Sequence, residues 1–174
     1  MSDKKIIQKR TFTKKDITAL TGLKPNQVKY FVEQGLIADV EVSSGTGHYR
    51  TFTVENLCEF AILEVLNRYG FSARDMENIL RLIKSSHSMN EPDAPPEEWE
   101  FLSLEEISRI KEFEHIVHLY KRSKDDSFFC VMYLGFRDKY GNMIVGNESF
   151  QFSGDSCILV NVTIILRDVL KQVT

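Results

Sequence analysis

No apolar run approaches the ~20 residues that span a bilayer, and the opening "MSDKKIIQKR" has no long apolar core of the kind that directs secretion. The expected location is therefore the cytoplasm, with no membrane partner. The three cysteines, Cys58, Cys130 and Cys157, stand far apart in apolar surroundings, with no Cys-x-x-Cys pair and no Cys/His quartet. Such spacing favours reduced, buried thiols over a metal or redox centre. A Gly-rich phosphate loop and a Gly-x-Ser-x-Gly elbow are also missing. Without a nucleophile, base or metal cluster, no enzyme activity and no cofactor are expected. There is no internal repeat.

What is present is an ordinary globular balance. The chain has 174 residues, 43% of them apolar and 27% charged, enough for one or two domains. Its net charge of -3 conceals an asymmetry. Residues 1–30 hold eight Lys and Arg against two acids, whereas residues 91–174 hold nine basic and fifteen acidic residues. Positive charge concentrated at one end is the electrostatic footprint of a nucleic-acid partner, although a solvated lysine-rich surface has the same composition.

Local signals divide the chain. Thr13-Lys14-Lys15-Asp16 has the Thr-x-x-Asp form of a helix start, followed by Ile17 and Leu20 on one face and Gly22 as a stop. Pro25 suits a first helical position, and Val28, Phe31 and Val32 continue that helix to Gly35. Two helices across a tight turn form a helix-turn-helix pattern. "IADVEV", the loop 43–47 and "HYRTF" then read as a hairpin, and Thr53 caps a helix running to Gly70. Ser72 to Asp75 opens another helix, with Met76, Ile79, Leu80 and Ile83 on its apolar face.

The segment "SSHSMNEPDAPPEEWE" holds three of the four prolines and five acids, and reads as a linker. From Leu104 to Arg122, the spacing of Ile110, Phe113, Val117 and Tyr120 alternates three and four, which predicts a long helix with one apolar stripe against a neighbouring helix. His115 and His118 would lie on that helix with Glu112, rotated too far apart for tight metal ligation. Period-two spacing from Phe128 to Phe136 predicts a strand, "DKYGN" a turn and "MIVGNESFQF" a return strand. "CILVNV" and "IILRDVLKQV" read as strand then helix, with Thr163 as a cap, or as one continuous helix.

Helix, turn, helix, hairpin, helix is the outline of a winged helix-turn-helix, whose second helix enters the major groove while its hairpin tip meets the sugar-phosphate backbone. The second helix exposes Asn26, Gln27, Lys29 and Tyr30. Asn26 and Gln27 suit an adenine edge, and Lys29 suits phosphate. The residues "FTKKDITALTGLKPNQVKYFVEQGLI" and "GHYRTFTVENLCEFAILEVLNRYGFSARDMENIL" resemble the DNA-binding domain of the MerR family of bacterial transcription regulators. Val28, Lys29, Tyr30 and Phe31 take the recognition-helix positions, Tyr49, Arg50 and Phe52 the wing positions, and Gly70-Phe71-Ser72 the helix junction. Lys29 stands where the family usually has Arg, and Phe31 and Phe52 where it usually has Tyr. Without hydroxyls these two phenylalanines are expected to pack.

The resemblance covers residues 11–83 and implies DNA contact by Lys29, Tyr30, Tyr49 and Arg50. Lys14, Lys15 and His48 join Asn26 and Gln27 as further candidates. It also implies a homodimer on an inverted-repeat site in double-stranded DNA, distortion of promoter DNA, and RNA polymerase as a further partner.

The resulting fold class is mainly α with small β elements. It comprises a basic arm (1–10), a winged helix-turn-helix domain (11–86), an acidic linker (87–102), a dimerisation helix (103–124) and a small α+β region (125–174). That last region would serve effector sensing or oligomerisation, with no small-molecule effector identifiable. The expected function is sequence-specific transcription regulation. The alternatives are an accessory factor for recombination or genome organisation, and a protein-interaction adaptor derived from a DNA-binding domain.

Overall fold

Two polar side chains start the first helix, α1 (Lys14–Thr21). The Thr13 hydroxyl accepts from the Asp16 N–H at 3.3 Å, and the Asp16 carboxylate accepts from the Thr13 N–H at 2.8 Å. Two otherwise orphaned donors are thereby satisfied. The same backbone hydrogen bond, followed by one from the Thr13 hydroxyl, holds the Asp16 carboxyl below its usual range. The helix closes at Gly22, whose φ of 78° is the left-handed conformation that glycine adopts without strain. Pro25 then begins α2 (Pro25–Glu33), which packs across α1 with Val28 and Phe31 buried.

The computed structural model describes residues 11–37, 41–42, 50–85, 103–111, 114–122, 127–137, 143–145 and 156–173. The expected basic arm, hairpin tip and acidic linker, with His48, Tyr49 and Phe113, lie outside the described residues. Strands β1 (Glu41–Val42) and β2 (Arg50–Thr51) pair antiparallel, Glu41 opposite Thr51 and Val42 opposite Arg50. The next residue, Phe52, exchanges backbone hydrogen bonds with Phe12 at 2.8 and 2.9 Å. Its ring is buried and meets Phe60 edge-on at 5.2 Å. Phe52 thus anchors the hairpin to the core, and Phe31 is fully buried, as expected for rings without a hydroxyl.

Thr53 caps α3 (Val54–Arg68), with Asn56 answering back to the Thr53 N–H. Leu57, Phe60, Ala61, Ile62, Leu63 and Leu66 of this helix are all buried, so it is apolar around most of its circumference. A helix of that kind needs neighbours on several sides. It receives them from α1, from α4 (Ala73–Lys84), and from two elements of the C-terminal half. The predicted stripe Met76, Ile79, Leu80 and Ile83 of α4 is buried.

The expected long helix over 103–124 is not formed. Its beginning is the short α5 (Leu104–Arg109), started by a reciprocal Ser103–Glu106 box, and the chain then becomes strand β3 (Glu114–Arg122). The dimerisation stripe therefore dissolves. Ile110 ends α5, Val117 is buried in the protein's own core, and Tyr120 lies in β3. The physical reason is tertiary. "HIVHLY" is rich in β-branched and aromatic residues, and strands on both sides supply ladder hydrogen bonds that a local 3-4 spacing does not register. His115 and His118 consequently point to opposite faces of a strand.

These neighbours are β4 (Ser127–Arg137) and β6 (Ser156–Asn161), and β5 (Met143–Val145) adds an edge. The sheet is antiparallel, in the order β5-β4-β3-β6. The last segment is strand then helix, α6 (Val162–Leu170), as the first of the two readings held. Its cap is Asn161, not Thr163, whose hydroxyl instead accepts from the His115 N–H at 2.8 Å. Val117 and Leu119 of β3 and Val160 of β6 join Leu166 and Val169 of α6, Leu104 and Ile107 of α5 and the buried residues of α3 in one continuous core. The sheet extends beyond the small α+β region expected at 125–174, because β3 comes from the segment expected as the long helix.

Burial depresses the His115 imidazole to about 4. A histidine held neutral in the folded state contributes stability that is complete above the unfolded value of about 6.5 and is lost as pH falls toward 4. Comparing urea unfolding at pH 7 and pH 4.5, we expect His115→Gln to lose less stability on acidification than wild type, by up to about 2–3 kcal/mol. Equal acid losses in the two proteins would show that His115 is not the responsible group.

Candidate nucleic-acid interface

Four cationic side chains from three elements meet around one groove. Lys14 and Lys15 come from the first turn of α1, Lys29 from α2 and Arg50 from β2. The groove has a volume of about 590 Å³, with Val28, Val32 and Phe52 also in its lining. Val28 and Phe52 are core residues, so the apolar floor is rigid and the charges stand on its rim. All four cations are exposed.

One acid, Glu33, also lines the groove. It pairs with Lys29 at 3.5 Å, where the two side chains are 50% and 63% exposed. An ion pair this wet contributes little, so a phosphate oxygen could replace the carboxylate at small cost. The order Lys-before-Glu is also the less favourable one along a helix. The N-terminus of α1 adds the partial positive charge of its aligned peptide dipoles beside Lys14 and Lys15. Together these groups make a concave surface suited to anionic oxygens, spread over several points rather than focused at one.

The exposed side of α2 carries the other candidates. Asn26 is exposed, and Tyr30 is 44% exposed with its ring tilted against Phe31 at 5.7 Å. Gln27 is placed differently from the sequence expectation. Its side-chain oxygen accepts from the Lys24 N–H at 2.8 Å, completing the start of α2. Bidentate pairing with adenine needs both the oxygen and the nitrogen of the amide, so in this conformation Gln27 shapes the helix entry instead.

The groove also includes Thr13 and Thr51, which sequence reasoning did not single out as contacts. Thr13 was legible only as a cap, and Thr51 as a ladder residue between Arg50 and Phe52. Their shared surface arises where α1, α2 and β2 converge, which no local pattern encodes. Among the described residues, no group of His, Cys, Asp or Glu could hold a metal ion. No described helix is long and apolar enough to cross a membrane.

Gln27→Ala should lower stability by about 1 kcal/mol in thermal unfolding, and Gln27→Glu, which keeps an acceptor, should remain near wild type. An alanine variant as stable as wild type would remove the side chain from the cap.

No family model matches the chain. Over 104 residues it is 26% identical to the HTH-type transcriptional regulator CueR of Escherichia coli O6:H1 (strain CFT073), a similarity covering 60% of this chain and 70% of that protein.

Proposed function

We propose that the chain is a DNA-binding transcription regulator of MerR type. The observation that carries this reading is the convergence of Lys14, Lys15, Lys29 and Arg50 around one groove, beside a helix that exposes Asn26 and Tyr30. The similarity to an HTH-type transcriptional regulator supports it, as do the wing and recognition-helix residues of the sequence.

In this reading α1, α2 and the β1–β2 hairpin form a winged helix-turn-helix. The helix α2 lies in the major groove, where Asn26 contacts a base edge, and the hairpin follows the backbone. Arg50 and the lysines neutralise phosphates, with Tyr49 and His48 extending the wing contact. The protein acts in the cytoplasm as a homodimer on an inverted repeat, and meets RNA polymerase at a promoter. With Val117 used in the protein's own core, the dimer surface lies elsewhere than on a helical stripe.

Selection of bound DNA from a random pool tests the reading directly. The expected product is a motif with two-fold symmetry, because a symmetric dimer imposes its symmetry on the site. Recovery of no enriched motif would favour the protein-interaction adaptor. On the selected site, Arg50→Ala should weaken binding to all sequences alike and reduce the slope of log affinity against log salt by about 0.9, the value for one phosphate contact. An unchanged slope would remove Arg50 from the backbone contacts.

A further inference from the structure

The short helix α5 is tied at both ends to different parts of the molecule. At its start, the Leu104 N–H donates to the Glu55 carboxylate, at 3.2 and 3.4 Å from the two oxygens. Glu55 lies in the first turn of α3, three residues after Phe52 and five after Arg50. At the other end, the Arg167 guanidinium of α6 donates to the Ser108 carbonyl at 3.0 Å and to the Ile110 carbonyl. Arg167 also pairs with Glu114 at the head of β3, at 3.5 Å, and Glu114 accepts from the Asn161 side chain of β6 at 2.6 Å. Between the ties, Leu104 and Ile107 are fully buried in the common core.

We propose that α5 is a strut through which the C-terminal sheet sets the position of the hairpin's anchoring end, with Glu55 as its contact on the DNA-binding side. The regulatory meaning rests on the DNA-binding reading above; the mechanical coupling does not. A six-residue helix held by hydrogen bonds at both ends and by two buried side chains moves as a unit. A shift of α6 or of the β3 head moves the Ser108 and Ile110 carbonyls, and the strut carries that shift to Glu55. The first turn of α3 is itself stiff. Asn56 bonds Thr53 and reaches Glu59, and the Lys84 ammonium of α4 holds Glu59 at 2.6 Å. A displaced Glu55 therefore carries Thr53 and Phe52 with it, and Arg50 is two residues beyond.

The surroundings of Glu55 fit a structural acceptor. Burial raises its carboxyl above the usual range, against the lowering influence of the Leu104 N–H and of Lys84 on α4; Glu59 and Glu105 raise it further. An acid kept at a site that disfavours its charge is explained by the donor it receives.

The test uses the full chain without DNA, by hydrogen–deuterium exchange resolved to peptides over 50–57 and 103–111. Glu55→Ala removes the acceptor and is expected to speed exchange in both peptides by about tenfold or more, the equivalent of losing one hydrogen bond to a charged group. Glu55→Gln keeps an oxygen acceptor and should leave both near wild type. Arg167→Met frees the opposite end and should loosen the 50–57 peptide as well, although the hydrogen bonds of Arg167 end on Ser108, Ile110 and Glu114. Faster exchange confined to 103–111 in Glu55→Ala would reduce α5 to a packed appendage and overturn the strut. So would an Arg167→Met protein with an unchanged 50–57 peptide. If either variant fails to fold, its partner still decides. A second arm measures affinity for selected DNA. Coupled exchange with unchanged DNA affinity keeps the strut and overturns its regulatory meaning. Coupled exchange with no DNA bound by any variant or by wild type keeps the strut and rejects the DNA-binding reading instead.

Discussion

The burial of α3 on nearly every side is the constraint on which the rest of the molecule depends. A helix apolar around its circumference is stable in water only when it is wrapped, and the chain wraps it with elements from both halves. The helix α1 and the hairpin anchor Phe52 cover its beginning, α4 lies along it, and α5 and α6 close the remaining side. The two halves therefore share one hydrophobic core. Burial also pushes the Cys58 thiol well above its ordinary value, which leaves it inert.

Polar groups caught in this arrangement are used as ties. Glu59 is 2% exposed and would be costly as a lone charge, but it accepts from Lys84 and from Asn56. Such a pair adds little net stability and mainly fixes which way α4 lies on α3. Glu114 plays a similar part at the head of β3, held by Arg167 and Asn161. The positive groove, by contrast, keeps its charges on the rim in water, where they remain available to a ligand. Buried charges position the elements, and exposed charges face outward from them.

Much of the N-terminal half was legible because its signals are local. Thr13-Asp16, Thr53 and Ser72 each satisfy backbone donors within three residues, and Pro25 presets φ and lacks the N–H that a first helical position leaves unpaired, so their chemistry announces a helix wherever they occur. The roles of Phe31 and Phe52 could be read from what they lack, a hydroxyl. The cations Lys14, Lys15, Lys29 and Arg50 were each nameable, but their meeting around one groove was not, since it depends on three elements converging. The bond of Gln27 with the Lys24 N–H likewise appears only in the folded helix start.

The sequence alone determined the starts of the first four helices, the asymmetry of charge and the alternation of β4, because each follows from the residues and their near neighbours. Only the tertiary structure decided the fate of 104–122. There the spacing of Ile110, Phe113, Val117 and Tyr120 suited a helix, yet β4 and β6 drew the segment from Glu114 onward into a sheet. Strand formation depends on partners far away in the chain, and hydrogen bonds from β4 and β6 outweigh a local preference that differs little between helix and strand. The same long-range packing turned a presumed dimer helix into a short strut between two halves.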